Sequence, residues 1–314
     1  MAKSRSRCLD YAQYFALRVL NCILQALPLA CSLCLVRTLA LLAYRIDRRH
    51  RLVALDNLRH AFPGVYTEKQ LGEITLGVYQ HFCTMILEMA LIPRRLMSRR
   101  WREQLLKDVP QDLRQALSSG RPILVVTAHY GNWELTAFML RFFGIRAHLV
   151  ARQMDNPYLD EMMRNFRESI GHTVLSKRGD LARMEEVLHD RGTLCTLADQ
   201  DAGPRGMFVD FFGRPASTHR VFAHLARRTQ ALIIVVGAQN LGTPLDYALR
   251  ATDIIDPHEF ASHPDAIRAI TQRISTGVER LVRHDPRQYL WLHRRWKHQP
   301  TVTPVEVKTP SIAA

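Results

Sequence analysis

The sequence predicts an α/β fold, a mostly parallel sheet flanked by helices and preceded by an N-terminal helical membrane anchor. Three observations carry that expectation. From about residue 120 onward, short apolar runs of buried-strand character alternate with segments of helical period. Residues 52 to 105 carry only helical signals. No charged residue occurs from Val19 to Val36.

The elements follow in order. After a short basic start (Lys3, Arg5, Arg7), the uncharged stretch would cover about 27 Å as a helix, close to the hydrocarbon thickness of a bilayer. Asn21, Gln25 and Pro28 interrupt it, and a second apolar run, Leu39 to Tyr44, follows Arg37. Three readings stay open: a spanning helix, a Pro-broken hairpin entering one leaflet, and a buried helical pair. Arg45, Arg48, Arg49 and Arg51 add cations on the far side, so charge asymmetry sets no topology, although it suits a cytoplasmic leaflet surface. No small-residue cleavage site follows the stretch.

In the next, helical region Asn57-Leu58-Arg59-His60-Ala61-Phe62-Pro63-Gly64 is the clearest break. Pro122 opens the buried strand Ile123 to Val126. After a Gly131-Asn132 turn comes a helix over Trp133 to Phe143. Arg146 to Arg152 reads as a strand, and Asn156-Pro157 as an N-cap with proline at the first helical position. Leu159, Met162, Met163, Phe166 and Ile170 keep helical spacing behind it. Further expectations are a helix over Asp180 to Asp190, a strand over Thr193 to Ala198, a helix from near Thr218, a buried strand over Leu232 to Gly237 and an amphipathic helix over Ala266 to Val282. Residues 1–50 form the basic start and anchor, 51–297 one catalytic domain, and 298–314, with three prolines and no periodicity, a disordered tail.

Composition narrows the partners. The balance of 43 Lys and Arg against 29 Asp and Glu gives +14, which favours an acidic partner: nucleic acid, anionic headgroups or an acidic carrier protein. The six cysteines form no disulfide framework, and a reducing, cytoplasmic setting fits. Cys31-x-x-Cys34 has half of a zinc spacing with no second pair, so apolar packing is the better reading.

Chemistry concentrates in Thr127-Ala128-His129-Tyr130-Gly131-Asn132-Trp133-Glu134. Acyl transfer to a hydroxyl needs a base, a group that orients the base, and donors for an oxyanion. If His129 ends a strand and Glu134 lies in the first turn of the next helix, the intervening turn can fold the carboxylate onto the imidazole. Backbone N–H groups at that helix start are candidate oxyanion donors. Chance alone supplies about one His with a carboxylate five positions on in such a chain, so the placement after a buried strand makes the signal. Arg167 on its own reads more readily as a solvated helix-face arginine than as an oxyanion clamp, and Asp199 equally as a turn cap or as a ligand group at a strand end.

These residues resemble the H-x4-D/E block of the glycerolipid-type acyltransferases, and more narrowly the H-F-G-N-W-E form of the late acyltransferases of lipid A biosynthesis. Further blocks match in order from about residue 15 to 297. They are Asn57-Leu58 with Ala61-Phe62-Pro63; Arg152-x-x-Asp155-Asn156-Pro157-x-Leu159-Asp160; Ala198-Asp199-Gln200-Asp201-x-Gly203-Pro204; Phe208-Val209-x-Phe211-Phe212-Gly213-x-Pro215-Ala216; and Trp291 to Lys297. The resemblance implies an enzyme on the cytoplasmic face of the inner membrane, moving an acyl chain from acyl carrier protein or coenzyme A to a lipid hydroxyl. It implies no metal and no bound cofactor. On it, His129 is the base and Glu134 its catalytic partner, while Asn132, Arg152, Arg167, Asp199 and Arg294 bind substrate. Tyr130 stands where Phe is usual, a departure expected to touch acceptor fit. Trp291, Arg294, Arg295, Trp296 and Lys297 are expected to meet headgroups or carrier protein at an interface, with no nucleic-acid partner.

Overall fold

A computed structural model describes residues 6–95, 98–177 and 179–300. Lys3, Arg5 and the expected tail from residue 301 on lie outside the described residues. The chain opens with helices α1 (Arg7–Ala26), α2 (Leu29–Ile46), α3 (Arg48–Ala61), α4 (Glu68–Arg95), α5 (Arg99–Leu106) and α6 (Gln111–Leu117). Strands and helices then alternate: β1 (Ile123–Thr127), α7 (Trp133–Leu140), β2 (Ala147–Ala151), α8 (Pro157–Ser169), β3 (Thr173–Ser176), α9 (Leu181–His189) and β4 (Thr193–Leu197). A hairpin of β5 (Met207–Phe211) and β6 (Arg214–Thr218) precedes α10 (Val221–Thr229), β7 (Leu232–Asn240), β8 (Tyr247–Ile255) and α11 (Ala266–His284).

The α/β fold is the expected one. The main sheet runs β3-β2-β4-β1-β7-β8, with five parallel strands and β8 antiparallel at the edge. Along β1 the side chains alternate between two cores. Leu124 and Val126 face one built with α3, α10, α11 and the 289–296 segment; Ile123 and Val125 face another built with α5, α6 and α7. Burial on both faces explains why this strand reads as an unbroken apolar run.

Several boundaries differ from the sequence reading. The uncharged stretch does not form one continuous helix: Pro28 forces the preceding Leu27 into an extended conformation (ψ 152°), and the chain restarts as α2. The result is a helical pair that packs Leu24 and Val36 against Leu87 of α4, while Tyr11, Phe15, Val19 and Ile23 stay exposed along α1 at four-residue spacing. Cys31 and Cys34 lie exposed on α2 rather than packed inside. Asn57 to Ala61 stay helical, and the break begins at Phe62. Thr218 ends β6, so the helix expected there starts at Val221. Of the five residues expected at an interface, Arg294 and Lys297 are exposed and the other three are not. Trp291 (1% exposed), Arg295 (2%) and Trp296 (7%) are buried, because Arg295 donates to Ser217 O at 2.6 Å and to Thr218 Oγ1 at 2.7 Å.

Helix α11 crosses β7 at Gly277, where a Cβ would lie 3.0 Å from Val235 Cγ1. Gly277→Leu should therefore overpack this contact by about 1–3 kcal/mol. The thermal unfolding midpoint, followed by circular dichroism in detergent, should fall by about 2–5 °C.

Candidate active site

β1 and β4 lie side by side and in parallel, with Thr127 level with Leu197 and Ala198 N donating to Thr127 O at 3.1 Å. Two residues further along each strand come His129 and Asp199, so the register alone brings this pair together at the carboxyl end of the sheet, where open α/β folds hold ligands. Asp199 Oδ1 meets His129 Nδ1 at 2.9 Å, and Oδ2 accepts from the His129 backbone N–H at 3.0 Å. The Asp199 side chain is fully buried. Burial pushes its pKa up, but the His129 charge and hydrogen bonds, helped by His293, hold it well below the usual carboxylate range. An ionised acceptor at Nδ1 fixes the proton there and leaves Nε2 as the basic nitrogen. The Trp133 ring, 5.1 Å from the imidazole centroid, packs edge-on against it.

Glu134 does not sit on the imidazole. Its carboxylate takes a bidentate ion pair from Arg167, Nε to Oε2 at 3.0 Å and Nη2 to Oε1 at 2.6 Å. Burial opposes the Arg167 charge, but those two bonds outweigh it and hold the guanidinium above its ordinary pKa. Cys195, wholly buried, has its thiol pushed up to about 12 by that burial and by the Glu134 charge, which leaves it inert. The partner of His129 is thus Asp199, 70 positions away in sequence and adjacent in register.

His129, Trp133, Glu134, Arg152, Arg167 and Lys177 line one cleft of about 430 Å³. Arg152 is mostly exposed there and pairs with Asp155 at 3.0 Å. Asn132 is fully buried and does not line the cleft. Its Oδ1 caps α7 by accepting from Leu135 N–H at 3.0 Å, and its Nδ2 donates to the buried Glu88 Oε2 at 3.1 Å, so neither amide atom is left for substrate. Arg294 faces a separate groove with α3. Tyr130 is wholly buried against Gly237 and the core, so the Phe-to-Tyr departure alters packing rather than acceptor contact.

Lys177 escaped the sequence reading, since β3, which it follows, is a short strand with no apolar run. It lies 2.9 Å from His219 Nε2. Burial, then the Lys177 charge, drives the His219 pKa down to about 4, so a neutral imidazole accepts from the lysine at neutral pH. The signal for Lys177 was positional: it directly follows a parallel strand on the cleft side.

The chain matches the family model described as bacterial lipid A biosynthesis acyltransferase over residues 2–298. It is 26% identical over 270 residues to the lipid A biosynthesis lauroyltransferase of Escherichia coli K12, covering 84% of each chain. It is 28% identical over 193 residues to the lipid A biosynthesis acyltransferase of Haemophilus influenzae, covering 60% of this chain and 58% of the relative. A phosphatidylinositol mannoside acyltransferase of Mycobacterium tuberculosis is 30% identical over 127 residues, 38% of this chain and 39% of that one.

Two substitutions probe the support beneath the cleft. Gly131 has φ +56°, and a Cβ there would come within 1.8 Å of Ala238 O. Gly131→Ala should shift His129 enough to cut kcat/KM by about a hundredfold or more, a loss read in a turnover assay. Glu88 Oε1 accepts from Leu245 N–H at 2.9 Å, and Oε2 accepts from Asn132 and from Tyr247 O–H at 2.5 Å. Glu88→Gln would set an amide against these donors, so we expect a loss of about 1–3 kcal/mol in chemical denaturation.

Proposed function

The chain belongs to the bacterial lipid A biosynthesis acyltransferase family, and from that premise we propose that it moves a fatty acyl chain from a thioester of acyl carrier protein or coenzyme A to a hydroxyl of a lipid A precursor. One observation carries the chemistry: an ionised, buried Asp199 holds His129 with Nε2 at a cleft that also contains a carboxylate-anchored arginine. The acceptor O–H gives its proton to His129 Nε2 as the oxygen attacks the thioester carbonyl carbon. The tetrahedral oxyanion collapses, the C–S bond breaks, and the imidazolium returns the proton to the leaving thiolate. Asp199 stabilises the imidazolium through Nδ1–H, the part first assigned to Glu134. Glu134 instead anchors Arg167, whose other N–H groups are donors for the oxyanion. Backbone donors are fewer than the helix start suggests, because Gly131 N–H bonds Gln288 O at 2.9 Å and Asn132 N–H bonds Ala238 O at 3.1 Å. Trp133 and Glu134 N–H are the candidates left in the first turn of α7.

The acyl chain needs an apolar berth. A cavity of about 220 Å³ between α1, α4 and α8, lined by Leu20, Leu24, Ile86, Met89, Met163 and Phe166, fits that need, and Phe166 directly precedes Arg167. The membrane reading rests on the exposed α1 stripe and on α2, which is long and apolar enough to cross a bilayer. α4 passes the same length test, but it gives His81 to Gly131 O at 3.0 Å and Glu88 to Asn132, so it works as a core helix of the catalytic domain. We place the enzyme at the cytoplasmic face of the inner membrane, with no metal or cofactor in the reaction. The mannoside acyltransferase match favours a second acceptor, another glycolipid, on the same chemistry.

Purified protein in detergent, given acyl carrier protein thioester and lipid A precursor, should yield acylated lipid by mass spectrometry. His129→Ala and Asp199→Asn should each lower kcat by about 10²–10⁴. Glu134→Gln should also impair transfer by freeing Arg167. Unimpaired turnover by His129→Ala overturns the assignment, and transfer to another glycolipid in preference to the precursor selects the second acceptor. A separate measurement addresses the apolar cavity: Met163→Trp should move donor preference toward shorter acyl chains.

A further inference from the structure

A groove of about 540 Å³ lies outside the catalytic cleft, between α3 and the segment that ends at Lys297. Four cations line it: Arg49 from α3, Arg214 from β6, and Arg294 and Lys297 from the segment. Arg214 lies over the Trp296 ring, 5.9 Å from its centroid. Asp56 is the single acid on the lining, and among the described residues none of the four cations has an ion-pair partner. Arginines elsewhere do find acids, among them Arg59 with Glu68, Arg121 with Asp256, Arg273 with Asp253 and Arg287 with Asp285. Gathering four cations in one recess with a single acid leaves a net positive charge that is unfavourable in the empty protein and is relieved once an anion enters.

The recess is also pre-formed. Asn57 Nδ2 donates to Trp291 O at 2.7 Å and to His293 O at 2.8 Å, which ties the segment to α3. Buried Arg295 ties it to the end of β6, and Gln299 Nε2 reaches Pro215 O at 3.2 Å. The backbone that carries Arg294 and Lys297 is therefore in place before a ligand binds, so only their side chains have to order. Two features select the source of the anion. The volume suits a compact group rather than a protein helix. Leu52, which lines the groove, is 51% exposed, and Ile46, three residues before Arg49 at the end of apolar α2, is 80% exposed. Aliphatic side chains beside unpaired cations match the depth at which lipid phosphates meet acyl chains.

We propose that this groove binds the phosphate of a membrane lipid headgroup. Its occupant would lie near the catalytic pair, since His293, one residue before Arg294, has Nε2 3.3 Å from Asp199 O and its ring 6.4 Å from that of His129. The test is equilibrium binding without turnover, so it is independent of whether the chain transfers acyl groups. Full-length protein in neutral detergent micelles is titrated with dioctanoyl phosphatidic acid, dioctanoyl phosphatidylcholine and inorganic phosphate. Phosphatidic acid should bind at least about tenfold more tightly than phosphatidylcholine. The triple variant Arg214→Gln, Arg294→Gln, Lys297→Gln should lose that preference, as should the single Arg294→Glu, chosen because its side chain is exposed and its fold is secure. A control with Arg99→Gln and Arg268→Gln, both on paired surface arginines, should keep it. Inorganic phosphate should compete only weakly. Retention of the preference in both groove variants overturns the proposal, as does inorganic phosphate binding as tightly as the lipid. Binding of acyl carrier protein that vanishes in the triple variant while the lipid preference survives assigns the groove to a protein instead and overturns it equally.

Discussion

The turn from His129 to Asn132 is buried, and a buried backbone must find partners for every N–H and C=O. Four separate parts of the chain supply them. β7 accepts from Asn132 N–H through Ala238 O, the 286–290 segment accepts from Gly131 N–H and donates from Leu290 N–H to His129 O, α4 reaches Gly131 O through His81, and the end of β4 receives His129 N–H on Asp199. Close approach to β7 is possible only because residue 131 has no side chain. The motif is thus less a spacing of two residues than a knot of backbone bonds that sets one imidazole, and elements as distant as α4 and the 286–290 segment are required for it.

Two side-chain pairs then divide the cleft. Asp199 fixes the ring proton of His129 at Nδ1, and Glu134 fixes the orientation of the Arg167 guanidinium. Asp199 is met by two hydrogen bonds from His129 and Glu134 by the Arg167 cation, so neither buried carboxylate is left without a partner. Arg152 and Lys177 add positive charge at the edge of the cleft, and the neutral His219 behind Lys177 adds none to oppose it at neutral pH. A cleft of this sign favours the anionic tetrahedral intermediate and any anionic group carried by donor or acceptor.

How much of this the sequence shows depends on whether a feature is local. The strands β1, β4 and β7 are buried on both faces and announce themselves as apolar runs; the edge elements do not. β3 is four residues long, β8 carries Arg250, Thr252 and Asp253 on an edge, and the β5–β6 hairpin sits apart as its own two-stranded sheet. Within the site, His129 and Glu134 are visible because strand, turn and helix follow each other in the chain. The pairing of His129 with Asp199 is invisible for the opposite reason: strand register fixes it, and register is a tertiary property. Arg295 shows the same limit from another side. Its flanking tryptophans suggested an interface, but a guanidinium with carbonyl and hydroxyl acceptors can be buried with them.

The N-terminal helices join the membrane question to the chemistry. α1 is docked on the start of α8: Asn156, which caps α8, also donates to Asp10 O at 2.9 Å, and Tyr158 packs against the rings of Tyr11 and Tyr14. One face of α1 therefore closes the apolar cavity next to Phe166, while Phe15, Val19 and Ile23 point outward. On the acyl-transfer reading, this helix turns one apolar face toward the bilayer and the other over the acyl berth. On the same reading its docking bears on the site too, because α8, on which it rests, also carries Arg167 to the Glu134 ion pair.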